Sequence, residues 1–171
     1  MRICEPVTAA LREAVRLVSA QRWFALATVD ANGLPTISYV PFAFAGAAFG
    51  MVASRLAAHT ANLAAGRPAS ILFVADDARE RDAYARPRFS IVVDASPAAH
   101  GSQLAQTIWS GLEIRQGPTV RTLRDLPDFA PIVLEPVAAR LVLGFAATHD
   151  FDRTELIEML RELNDSTDST R

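Results

Sequence analysis

The chain has 171 residues, enough for one well-filled core and few for two. Half are hydrophobic, 21% are charged and the net charge is −2, which excludes a disordered chain and leaves no basic surplus for nucleic acid. All 17 basic residues are arginine and Cys4 is the only cysteine, so no internal disulfide or cysteine-based metal cluster can form, and a reducing, cytoplasmic setting is expected.

Val7, Leu11, Val15 and Val18 recur at helical spacing around Arg12, Glu13 and Arg16, so residues 6–20 are predicted as an amphipathic helix. The same charges interrupt any signal-like apolar run, and nothing approaches the roughly 18 apolar residues of a membrane span, so an untargeted, non-membrane protein is expected. A strand over 23–29 leads into Asp30-Ala-Asn-Gly33, where Asn32-Gly33 offers the positive φ angles of a tight hairpin into a strand over 35–44. A third strand over 47–54, reached through Ala45-Gly46, would make these three a meander. A helix over 56–65 stops at Gly66-Arg-Pro68, and the apolar run over 69–75 reads as a buried strand.

Residues 76–88 are polar, of mixed charge and without period, and are assigned to a surface loop. β character resumes over 89–93, and Leu104, Ile108, Trp109 and Leu112 mark a helix over 101–115 with Trp109 in the core. A short helix over 120–124 precedes two closing strands, 129–134 and 140–145, separated by Pro136. Asp152 and Glu155 have capping-box spacing ahead of Leu156, Ile157, Leu160 and Leu163, and a flexible tail is expected over 165–171. The order describes an α+β protein on a small antiparallel barrel, not a doubly wound sheet, since strands and helices do not alternate and no G-x-G-x-x-G occurs. Trp23-Phe-Ala-Leu-Ala27 and Ile71-Leu-Phe-Val74 are apolar on both faces, so helices or a second subunit must cover them; a homodimer is expected.

The chemistry concentrates where the third strand runs into Ser54-Arg55 and a helix start. A hydroxyl, a guanidinium and unsatisfied helix N–H groups at one spot suit an anion, although Ser54 and Arg55 serve equally well as a cap and a surface pair. His59, Thr60 and Asn62 follow on that helix, and Arg86 and Arg88 flank Pro87 before a strand, with Arg88 nearer the strand body. His59, His100 and His149 lie in no H-x-x-x-H pattern, so no metal is assigned, and no G-x-S-x-G elbow or Ser-His-Asp set supports a hydrolase.

From Trp23 to Phe145 the order of parts resembles the FMN-binding split-barrel superfamily that includes pyridoxamine 5'-phosphate oxidase. Leu26-Ala-Thr-Val-Asp30 with Gly33-Leu-Pro35 is similar to its first hairpin, Ile37-Ser-Tyr-Val-Pro-Phe42 to its second strand, and the segment from Ser54 to Leu63 to its phosphate-binding part. Ser38-Tyr-Val-Pro41, His59-Thr60, Asn62-Leu63 and Ala85-Arg-Pro-Arg-Phe89 resemble the branch of haem-utilisation proteins. The resemblance implies an antiparallel six- to seven-stranded split β-barrel with peripheral helices, with residues 1–164 as a single FMN-binding domain.

It further implies that Ser54 and Arg55 hold the FMN phosphate, with Ser38, Tyr39 and Val40 beside the ring and ribityl chain. His59, Thr60, Asn62 and Arg88 complete the expected cofactor set, near a subunit interface, with Arg88 either reaching the flavin, within one chain or across the dimer, or standing on a solvated rim. The chain departs from the oxidase at Leu56, where the oxidase has a phosphate-binding lysine, in lacking basic residues between Thr36 and Ala43, and in lacking its C-terminal substrate motif. The function implied is an FMN-dependent oxidoreductase acting on an unknown small substrate. The alternatives are a flavin or haem binding or storage protein without turnover, and haem degradation with His59 or His149 as axial ligand.

Overall fold

The computed structural model describes residues 5–76 and 82–168. The elements run α1 (Glu5–Ser19), β1 (Trp23–Val29), β2 (Pro35–Pro41), β3 (Ala43–Ala45), β4 (Ala48–Ser54), α2 (Ala58–Ala64), β5 (Ala69–Val74), β6 (Arg88–Pro97), α3 (Gln103–Gln116), α4 (Thr119–Arg124), β7 (Phe129–Gly144), β8 (Ala147–Phe151) and α5 (Arg153–Asp168). Part of the expected surface loop, residues 77–81, lies outside the described residues, as do 169–171 of the expected tail. Helix α5 continues to Asp168, beyond the expected start of that tail.

All strand pairs are antiparallel, in the order β2-β1-β5-β6-β7-β4-β3, with β8 added on β7. The two ends of this path, β2 and β3, are separated in sequence by Phe42 alone. The chain therefore steps from one edge of the sheet to the other in a single residue, and the sheet must curl into a half-barrel to allow it. Arg115 of α3 secures the step: its Nε donates to the Phe42 carbonyl at 3.1 Å, and its guanidinium carbon lies 4.6 and 4.8 Å from the Phe42 and Phe44 ring centroids. Burial, reinforced by nearby Arg22, holds the Arg115 pKa below the usual arginine value.

This topology corrects the expected meander. β4 pairs with β3 and β7, not with β2, so in this segment the hairpins are β1–β2 and β3–β4 and no third strand extends the first. In the first turn only Gly33 takes positive φ, at 81°, while Asp30 Oδ1 accepts from the N–H groups of Asn32 and Leu34 at 2.8 and 2.9 Å. Those two bonds from backbone N–H groups, Leu34's first, hold the Asp30 carboxyl below its usual pKa. The two closing strands are one strand, β7, of 16 residues. Pro136 is accommodated because Val93 pairs with Pro136 and Val92 with Ala138, leaving Val137 as the extra residue of a bulge where a missing N–H costs nothing.

Two apolar clusters decide which faces are covered. The barrel interior packs Phe24, Phe42, Phe49, Phe73 and Phe89 with residues of α1 and α5. A second cluster sets Ile108, Trp109 and Leu112 of α3 against Ala43, Ala45, Ala48 and Val133, covering the outer side of β3, β4 and β7. The outer side of β2, β1, β5 and β6 stays bare: Ile37 is 80% exposed, Tyr39 66% and Val92 51%. No described helix is long and apolar enough to cross a membrane.

Candidate functional site

Strand β4 pairs with β7 through Ser54 and Phe129, and the chain then turns over residues 54–57 into α2. The turn is closed by an Ala57 N–H bond to the Ser54 carbonyl at 3.1 Å, while the Thr60 hydroxyl donates to the same carbonyl at 2.7 Å. Helix α2 has only seven residues, no side-chain N-cap and no acidic residue in its first turn. A helix this short needs external anchors.

Leu63 sits in the apolar core, and the remaining anchors are polar. Asn62 is buried, and its Nδ2 donates to Thr28 Oγ1 of β1 at 3.0 Å. Thr28 and Thr36 are cross-strand partners whose hydroxyls lie 2.8 Å apart. One turn earlier in α2, half-buried His59 places Nδ1 2.9 Å from the Ser38 hydroxyl of β2. Burial lowers the His59 pKa below the free imidazole value, which favours the neutral ring at pH 7.

The Ser54–Arg55 corner meets a segment that the sequence does not point to. Ser54 Oγ donates to Asp128 Oδ2 at 2.5 Å, the Arg55 N–H donates to the Asp128 carbonyl at 2.8 Å, and Arg55 Nη2 donates to the Pro127 carbonyl at 2.7 Å. The Ser54 oxygen also accepts from the Leu56 N–H at 3.1 Å. Behind the corner, Arg55, Thr60, Leu63, Pro97, Pro131 and Ile132 are among the residues lining a mostly apolar hollow of about 260 Å³. A larger hollow of about 500 Å³ lies against α3 and Arg115, away from these residues.

Ser54, Arg55, His59, Thr60, Asn62 and Ser38 are therefore gathered around α2, His59 and Asn62 facing the β1–β2 hairpin and Thr60 the hollow. The strand period separates the β2 trio. Ser38 turns inward to His59, Val40 is 3% exposed in the core, and Tyr39 points outward, stacked on Trp23 with ring centroids 4.5 Å apart. Arg88 is not brought to the corner: it lies on β6, with two strands between it and β2, and its Nη1 is 3.2 Å from the Arg86 carbonyl. Asp128, Thr28 and Thr36 were missed. The threonines flank a recognisable turn at mirrored positions, which is a usable signal; Asp128 has none. Among the described residues no three of His, Cys, Asp and Glu come together as a metal site.

The chain is 29% identical over 135 residues to heme oxygenase HutZ of Vibrio cholerae, covering 79% of this chain and 77% of that protein. The heme binding protein from Mycobacterium smegmatis superposes with a TM-score of 0.74 at 26% identity, over 87% of this chain and 60% of that one. Campylobacter jejuni ChuZ superposes with a TM-score of 0.77 at 25% identity, over 86% and 61%. The chain thus spans about three fifths of the length of the latter two. A sequence profile of the pyridoxamine 5'-phosphate oxidase family matches residues 10–143, most of the chain, and the protein belongs to that family.

Proposed function

We propose that this protein binds haem, as storage cargo or as a substrate for degradation, using the surroundings of α2. The observation that carries the reading is His59, a neutral, half-buried imidazole whose Nδ1 lies 2.9 Å from the Ser38 hydroxyl; in the tautomer in which Nδ1–H donates to Ser38, Nε2 carries the lone pair that iron would use. The names of the Vibrio and Mycobacterium relatives support it. Haem would supply a redox-active iron; Ser38 fixes the imidazole's orientation, and Asn62 holds the helix that carries it. Addition of haem should give an intense Soret band that His59→Ala weakens or shifts. His149, which packs on Phe151 at 5.1 Å between centroids, is the comparison variant, and an unchanged spectrum in both would remove histidine ligation.

The second reading is an FMN-dependent oxidoreductase, favoured by the family description and by the exposed guanidinium of Arg55. FMN would carry the redox chemistry, with Arg55 as its phosphate partner. It fits less well than haem, because the Ser54 hydroxyl is already committed to Asp128 and Leu56 offers no charge. A flavin absorbance band weakened by Arg55→Ala, and reduced anaerobically by NADH or NADPH, would favour this reading.

For either cofactor we propose a cytoplasmic homodimer, with residues 1–164 as one cofactor-binding domain. The bare outer face supports this: Ile37, Tyr39, Leu72 and Val92 lie on neighbouring strands, and Arg88 stands on the same face. A second copy seated there would bring Tyr39 and Arg88 to the subunit seam. Light scattering should give a dimer that Val92→Glu splits; a monomeric wild type at micromolar concentration removes the proposal.

A further inference from the structure

We infer that Asp128 is a specificity residue that closes the Ser54–Arg55 corner to phosphate, so that this chain discriminates against phosphorylated cofactors. The inference rests on the geometry of the corner and not on the haem reading. Ser54 and Arg55 are the donors that a phosphate would use, and the Pro127–Asp128 segment meets both of them. The Ser54 hydroxyl donates to the Asp128 carboxylate at 2.5 Å, the Arg55 guanidinium to the Pro127 carbonyl at 2.7 Å, and the Arg55 N–H to the Asp128 carbonyl at 2.8 Å.

The substitution is chemical as well as steric. A phosphate monoester brings about 1.5 to 2 negative charges at neutral pH. At Ser54 it would compete with a carboxylate already seated there and be repelled by that carboxylate if it bound alongside. Asp128 is half-buried, which limits how far water screens the repulsion. No lysine exists in the chain to offset it, and the neighbouring side chain, Leu56, is apolar. A neutral ligand group with a donor hydrogen meets no such penalty.

Asp128→Asn keeps the shape and removes the charge; Asp128→Ser removes the charge with a smaller side chain. Amide NMR of full-length wild type and both variants, titrated with inorganic phosphate, reads the corner directly at Arg55 and Leu56 without any cofactor. FMN and riboflavin titrations by fluorescence run alongside. Wild type should show a weak phosphate response and bind FMN no tighter than riboflavin, and at least one neutral variant should gain tenfold or more for inorganic phosphate. The inference is overturned if wild type prefers FMN over riboflavin tenfold or more. It is equally overturned if neither variant gains phosphate affinity, whether from a silent corner or an unchanged one. Failure of both flavins to bind would count against the FMN reading alone, because the phosphate arm is independent of it.

Discussion

Asn62 separates a cofactor contact from a helix anchor. Its amide sits 5% exposed, and Nδ2 donates to Thr28 Oγ1 at 3.0 Å. Asn62→Ala removes that bond, worth a net of about 1 kcal/mol. The void left at a buried position adds up to about 1 kcal/mol more. The loss stops there because the Thr28 and Thr36 hydroxyls still hold each other at 2.8 Å, so neither is orphaned. The expected cost is about 1–2 kcal/mol, seen as a fall in Tm of roughly 3–6 °C for a chain of this size.

Because α2 has no side-chain cap and is only seven residues long, the loss should be felt first within that helix. Amide exchange read by mass spectrometry should quicken over α2 by about tenfold for each 1.4 kcal/mol lost locally. Asn62→Asp should cost more, since it buries a carboxylate that no described salt bridge offsets. A side chain that served the ligand instead would behave oppositely: the alanine variant would lose cofactor affinity at unchanged stability. A Tm within 1 °C of wild type together with unaltered exchange over α2 refutes the anchoring role.

Gly50 of β4 lies under α3, where an added Cβ would fall 2.5 Å from Ile108 Cγ1, so Gly50→Ala should destabilise by about 1–3 kcal/mol. Urea unfolding should show that Ile108→Ala, costly alone, costs less in the Gly50→Ala background; simple additivity would mean the contact is relieved elsewhere. Ala146 takes φ 59° in the β7–β8 turn, so Ala146→Gly should raise stability by up to about 1 kcal/mol, measured by thermal unfolding. His59 has a lowered folded-state pKa, so near pH 6 the unfolded chain binds more protons and stability rises with pH. Its contribution is complete above the unfolded value of about 6.5 and is lost as pH falls below it; His59→Gln should flatten the stability–pH curve in that window.

The elements that the sequence displays are those whose cause is local. The capping box is as expected, with the Asp152 N–H 2.9 Å from Glu155 Oε2 and the Glu155 N–H 3.0 Å from Asp152 Oδ1. Strands β1 and β5 and the core position of Trp109 follow from apolar spacing alone. Strand β8 was invisible because its turn uses Ala146 in a left-handed conformation, without the Gly or Asn that ordinarily marks one. Pro136 misled because a proline divides a strand only when its N–H is needed, and the bulge at Val137 removes that need.

The same distinction governs the site. A Ser-Arg pair at a strand end states which donors are available, and that much can be read locally. What those donors face is decided across the sheet, by a residue 74 positions away in the chain. The β4–β7 register pairs Ser54 with Phe129, and that pairing brings the residue before Phe129 onto the Ser54 hydroxyl. A neutral residue at 128 would leave the same motif and the same strands, keep the Arg55 bonds to the two backbone carbonyls, and lift the carboxylate from the Ser54 hydroxyl. The chemistry of the corner thus belongs to the pairing register rather than to the motif, and Asp128 turns a phosphate-type sequence into a corner that is already occupied.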